Sequence, residues 1–166
     1  NASGERDPEM HQGKKGENWH FGMKTHIGAD VDSGLVHSVV TTPANESDVA
    51  QVDQLLHGKE QVVHADAGYI GAGEHAPEAK VKWQIARKRS AVNKIANARK
   101  RERVQRQERR KAQIRARVEH PFRVIKRQFG YMKVRFKGLM KNTAQVVTLV
   151  ALANLYLARK RLLAMA

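Results

Sequence analysis

The composition changes abruptly after residue 86, and that change sets the fold. Residues 87–120 contain neither glycine nor proline and are dominated by Arg, Lys, Gln and Ala. These are residues that a helix tolerates or favours. Upstream, apolar residues instead alternate in short runs separated by Gly, Pro, Asn and Asp, the pattern of strands and turns. The chain therefore reads as α/β, a mixed sheet with flanking helices. Charge divides at nearly the same place. Residues 1–83 carry 7 Lys/Arg against 13 Asp/Glu, a formal −6; residues 84–166 carry 24 against 3, a formal +21. A half so basic points to nucleic acid as partner.

The 166 residues suit one domain, and 41 % hydrophobic residues allow a real core. The absence of cysteine excludes disulfides, thiolate zinc sites and thiol catalysis. No secretory leader is legible. The most apolar run, residues 144–158, is broken by Gln145, Thr148 and Asn154 and is too short to span a bilayer. The opening, residues 1–8, is polar and turn-rich without an initiator Met, and is expected to be a linker within a longer protein.

Along the chain, Trp19, Phe21, Met23, Thr25, Ile27 and Ala29 alternate with His20, Gly22, Lys24, His26 and Gly28, which predicts a strand with one apolar and one polar face. A turn at 30–34 and a β-branched run at 35–42, stopped by Pro43, complete a hairpin. A helix is expected over 47–57, with Asn45 or Ser47 as cap and Gly58 beyond its end. Residues 61–65 form a short apolar strand ending at Asp66, and 81–86 form another. Residues 87–111 form a basic insertion, helical or partly without fixed structure. Ile114, Val118, Phe122 and Ile125 recur at helical spacing, with Pro121 kinking that helix or starting a new one after Glu119. Residues 131–137 are a short strand or extended loop. Asn142 or Thr143 caps a last helix, apolar nearly all round, that needs the sheet or a partner to bury it.

Two carboxylates stand out. Asp66 closes a strand and precedes Ala67-Gly68-Tyr69; in open α/β sheets working side chains gather at the carboxyl ends of strands. Glu119 is one of only three acids in the basic half, with Arg115 and Arg123 four residues away on either side and Lys126 seven beyond. One reading is a salt-bridge ladder on a helix face, worth a few tenths of a kcal/mol per pair. The other is a carboxylate that holds a divalent ion while its cationic neighbours hold phosphates. Lys24, His26 and His20 share a strand face suited to solvent or a polyanion. His64 shares the face of Asp66 and reads as a packed residue. His11, His37, His57 and His75 scatter near turns and receive no chemistry. Gly68, Gly71 and Gly73 lack phosphate-loop spacing, and no serine has a triad context.

Taken together, Gly22-x-Lys24-x-His26, Ala65-Asp66-Ala67-Gly68-Tyr69 and Arg115-x3-Glu119-x6-Lys126 resemble successive signatures of the DDE transposases of bacterial insertion sequences. The likeness is strongest to the IS-five type within the IS-four/IS-five group. Residues 6–12, 118–130 and the stretch Gly138-Leu139-x-Lys141-Asn142 resemble that type too, so the likeness covers nearly the whole chain. Ala112 stands where the family often has Tyr. The resemblance implies an RNase H-like core whose three acids bind two Mg²⁺ (Mn²⁺ as substitute), and which cleaves element ends and joins them to target DNA. It assigns Asp66 as the second acid and Glu119 as the third. Arg115, Arg123, Lys126, Lys24 and His26 become DNA contacts.

The family's first acid lies on a strand that would end before residue 1. Residues 1–166 are thus expected to be a partial catalytic domain, truncated at the N-terminus and inactive alone. Asp7 and Asp30 are poor substitutes for the first acid. A missing central strand also leaves an exposed sheet edge. The complete enzyme is expected to be a homo-oligomer, cytoplasmic, bacterial and nucleoid-associated, with no membrane partner. The alternatives are a non-catalytic basic nucleic-acid-binding module or transposase relic, and a structure-specific nuclease on the same core.

Overall fold

A computed structural model describes residues 3–165. Three strands form an antiparallel sheet in the order β1-β2-β3: β1 (His11–Lys15), β2 (Asn18–Ala29) and β3 (Val36–Pro43). β1 pairs with the first half of β2, His11 opposite Gly22, and β3 with the second half, His26 opposite Val40. Two further strands, β4 (Val62–Ala65) and β5 (Lys82–Ile85), form a separate parallel sheet. Their crossover holds a 3-10 turn, Ala67–Tyr69, and α2 (Ala72–His75); α1 (Val52–Leu55) precedes β4. The second half is helical: α3 (Arg89–Asn93), α4 (Ala98–Arg115), α5 (Glu119–Arg127) and α6 (Leu139–Leu163). The mixed α/β class expected from the residue pattern is what the chain adopts, with its strands divided between two sheets.

Two cores hold these layers together. On the apolar face of β2, Met23, Ile27 and Ala29 pack against Val36 of β3, Val124 and Ile125 of α5, and Val146, Val150 and Ala153 of α6. The other core is Val52, Ala72 and Ala76, closed by Tyr69, Trp83 and Ile85. Its α1 also crosses β2 and β3, where Gly28 has no side chain. A Cβ there would stand 2.6 Å from the His37 ring and 2.7 Å from the Leu55 carbonyl oxygen. The opposite face of the sheet is therefore covered too, and His26, expected on an open polar face, is only 5 % exposed.

Several local expectations change for physical reasons. The helix expected over 47–57 shrinks to a 3-10 turn, Val49–Gln51, and the short α1, which ends because Leu56 is extended. Of the opening stretch expected to be a linker, residues 1–2 lie outside the described residues, and Asp7 is docked, as is Glu9 just beyond it. Asp7 accepts hydrogen bonds from the Glu9 N–H (3.0 Å) and the Gly138 N–H (2.6 Å), and Glu9 accepts one from the Leu139 N–H. These distant carboxylates meet the orphan N–H groups at the start of α6 and complement its dipole. The helix can thus begin before Asn142 and Thr143, which were expected to cap it. Asn142, fully buried, instead donates to the carbonyls of Phe136 (2.7 Å) and Gly138 (2.8 Å) and fastens the irregular loop 131–137.

The basic stretch 87–111 is largely helical and rests on the parallel sheet: Lys111 donates to the Ile85 carbonyl (2.8 Å) and Glu108 accepts the Arg87 N–H (2.9 Å). Asn154 of α6 bonds both backbone groups of Val36, at 2.9 and 2.8 Å, and pins the helix to β3. Its other side leaves Val147, Leu152 and Leu155 exposed. Among the described residues no helix is long and apolar enough to cross a membrane.

Candidate active site

Asp66 follows the last residue of β4 with an extended backbone and caps the 3-10 turn, one carboxylate oxygen accepting the Gly68 N–H at 2.8 Å. Asp66 therefore has a turn-capping role. It occupies one oxygen of an exposed side chain and fixes where the other points. Gly68 matters here for its small size. The position a Cβ would take lies 3.0 Å from an oxygen of Asp66 and 3.1 Å from an oxygen of Asp48, so the two carboxylates flank the same bare turn.

Asp48 received no role from the sequence, where no spacing ties it to Asp66. It stands at the N-cap position of the 3-10 turn that precedes α1, yet makes no capping bond. Its Oδ1 lies 2.9 Å from the Lys24 ammonium, which also donates to the Glu46 carbonyl at 2.8 Å. The Nδ1 of His26 is 3.9 Å from the same oxygen, and its Nε2 is 3.0 Å from the Thr42 hydroxyl. Burial holds the His26 pKa below its ordinary value; Asp48 opposes this and Lys24 adds to it. Lys24 is thus engaged by Asp48, and His26 is buried against Thr42. Tyr69 follows Gly68, and burial, with Asp48 and Asp66 adding, pushes its hydroxyl up to about 12.

Glu119 opens α5 and is exposed. The ladder joining Arg115, Glu119 and Arg123 does not form: no ion pair among the described residues includes Glu119. Between Arg115 and Glu119 the cause is the 3-10 turn Ala116–Val118 that joins α4 to α5. Its tighter winding takes Arg115 and Glu119 off a common α-helical stripe. Pro121, fully buried, sits in the first turn of α5, where no intrahelical donor is lost. Arg117 anchors this junction by donating to the Val31 carbonyl at the β2–β3 turn. Arg115 is half-buried, its Nε enclosed without an acceptor, whereas Arg123 and Lys126 are exposed.

Asp66 is thus brought to Asp48. Asp48, Asp66 and Glu119 do not make a three-ligand group; the one such group among the described residues, with donor atoms within 4.8 Å of one another, is His37, His57 and Glu60. Carboxylate oxygens are the donor type that hard divalent ions take. Asp66 has an oxygen free of backbone bonds and Glu119 is free of cations, so both fit such an ion; Asp48 reaches it less readily with Lys24 in place.

Residues 3–155 match the family described as the transposase DDE domain. The chain belongs to that family. No solved structure matches it closely enough to compare. The transposase match spans Asp48, Asp66 and Glu119, both sheets and most of α6. Membership gives the chain a place in DNA transposition, with DNA as substrate and divalent metal ions as the cofactors that such domains use.

Proposed function

We propose that the chain is the C-terminal part of an RNase H-like catalytic core of the IS-five type. In this reading Asp66 and Glu119 are the second and third acids, and the first comes from a preceding strand. The observation that carries the reading is Glu119: exposed, without a cation partner, at a helix start beside the exposed cations Arg123 and Lys126. Its carboxylate is therefore open to an ion. The divided sheet lends support, because β4 pairs only with β5 among the described residues, leaving an edge for a central strand.

Two Mg²⁺, when bound, would activate a water or 3′-hydroxyl and steady the leaving oxygen of a phosphodiester. The chain's own residues do the placing. The Gly68 N–H fixes the Asp66 carboxylate, and Asp48, neutralised by Lys24, sets the charge beside it. Arg123 and Lys126 hold the DNA backbone. Arg115 offers a buried donor, which costs about 1–3 kcal/mol while unmet. Residues 87–111 form the basic insertion of this core. The complete enzyme acts as a homo-oligomer on element ends and target DNA at the bacterial nucleoid.

A nicking assay on supercoiled DNA tests this. Residues 1–166 alone are expected to be inert with Mg²⁺ or Mn²⁺. Extension by the in-frame upstream segment ending in Asp is expected to restore nicking, and Asp66→Asn to abolish it. Robust nicking by the chain alone, lost in Asp66→Asn, would overturn the incompleteness. A second reading, a basic DNA-binding module or relic, draws on the described residues, among which no three carboxylates form a metal-holding group. It requires Mn²⁺ binding to be indifferent to Glu119→Gln.

A further inference from the structure

The structure assigns a second metal site that shares no residue with the proposed catalytic acids: His37, His57 and Glu60 form a site for a transition-metal dication of the zinc class. His37 stands on β3, and His57 and Glu60 on the loop between α1 and β4. Their donor atoms lie within 4.8 Å of one another. The two rings meet edge to face at 4.7 Å between centroids. The Nε2 of His57 is 3.5 Å from the Glu60 carboxylate, close to the roughly 3.4 Å edge of a tetrahedral zinc site with ~2.0–2.1 Å bonds.

Each ligand is held by its surroundings. The Glu60 carboxylate accepts the backbone N–H groups of His57 (2.7 Å) and Gly58 (2.8 Å), which fixes it at the loop mouth. The Nδ1 of His37 lies 2.9 Å from the Ser38 hydroxyl, the kind of outer partner that leaves Nε2 free to ligate. The bare backbone of Gly28 lets that ring lie against β2. The Nδ1 of His57 faces the Lys59 N–H at 3.2 Å. Binding through its Nε2 shifts the ring proton to Nδ1 and gives up that long bond.

Two imidazoles and one carboxylate suit zinc, cobalt or nickel better than magnesium. Three protein ligands and an exposed fourth position leave room for water. The ion would tie β3 to the loop that enters β4, the strand ending at Asp66. The site is a fastener between the two sheets and owes nothing to the assignment of Asp66 or Glu119.

Titration of metal-stripped protein with Co²⁺, read by its visible bands, and competition with Zn²⁺ against a chromophoric chelator test the site. One ion per chain is expected, undisturbed by excess Mg²⁺ and retained in Asp66→Asn and Glu119→Gln. Affinity should fall at least tenfold in His37→Gln and in His57→Gln. No stoichiometric binding to folded wild-type protein would overturn the site, as would binding that survives both histidine changes. Should the variants misfold, diethyl pyrocarbonate labelling of the wild type decides. Stoichiometric Zn²⁺ shielding both His37 and His57 supports the site; shielding neither overturns it.

Discussion

The Lys24 ammonium lies 2.9 Å from one oxygen of Asp48, while the other oxygen of Asp48 faces the Gly68 turn that Asp66 caps. A lysine from the middle of β2 therefore sets the charge felt beside a proposed metal ligand. Each side chain is 36 % exposed, so water screens the pair and its direct worth to stability is under about 1 kcal/mol. Its effect should appear in metal binding. Lys24→Met, which unmasks Asp48, is expected to tighten Mn²⁺ binding several-fold, and Asp48→Asn to weaken it. Titration calorimetry of both variants checks this; equal affinities would remove Asp48 from the site.

Gly68→Ala should separate the two carboxylates. The added methyl would sit 3.0–3.1 Å from both oxygens, nearer than ordinary contact. Both lie at the ends of side chains that can swing away, so folding should survive with a loss no greater than the roughly 1–3 kcal/mol of an overpacked site. Mn²⁺ affinity should fall with it. Thermal unfolding and metal titration of one sample separate the two effects.

Acid should weaken the fold through His26. Burial lowers its pKa from the ordinary 6.5, with Asp48 opposing and Lys24 adding. The fold thus prefers the neutral ring. Its stabilising share is whole above about pH 6.5 and is lost as pH falls through the lowered value, because the unfolded chain takes up the proton first. His37 and His64 shift the same way, burial first. Urea unfolding at pH values from about 7 to 5 should show a smaller loss in His26→Gln than in wild type.

The docked leader predicts a capping loss. Asp7→Ala strips the acceptor from the Gly138 N–H and frees the Glu9 turn. The cost should be about 0.5–2 kcal/mol, as for other lost caps. Denaturant midpoints measure it, and an unchanged midpoint would show that residues 7–9 do not hold α6.

How much of this was legible in the sequence depended on range. β2 was readable because a period of two survives in Met23, Thr25, Ile27 and Ala29 whatever they pack on, and β3 to β5 were readable as short β-branched or apolar runs bounded by turns. β1 was not: His11-Gln12-Gly13-Lys14-Lys15 has no apolar alternation and is a strand only because β2 lies beside it. The start of α6 depends on Asp7 and Glu9, over a hundred residues away. Asp66 and Glu119 could be singled out by position and by local charge, but not the Lys24–Asp48 pair, which joins two elements. Nor could the approach of His37 to His57, which needs the bare backbone of Gly28. The Arg115–Glu119 half of the ladder failed because a 3-10 turn, invisible to helical spacing, lies between the two residues.

Asp66 and Glu119 are proposed to grip common ions. Fe²⁺ with ascorbate, used in place of Mg²⁺, cuts the backbone beside the ion that it replaces. Cuts near both residue 66 and residue 119, competed by Mg²⁺ and lost together in Asp66→Asn, are expected. Cuts near one of the two alone, or near both but untouched by Asp66→Asn, would contradict the account.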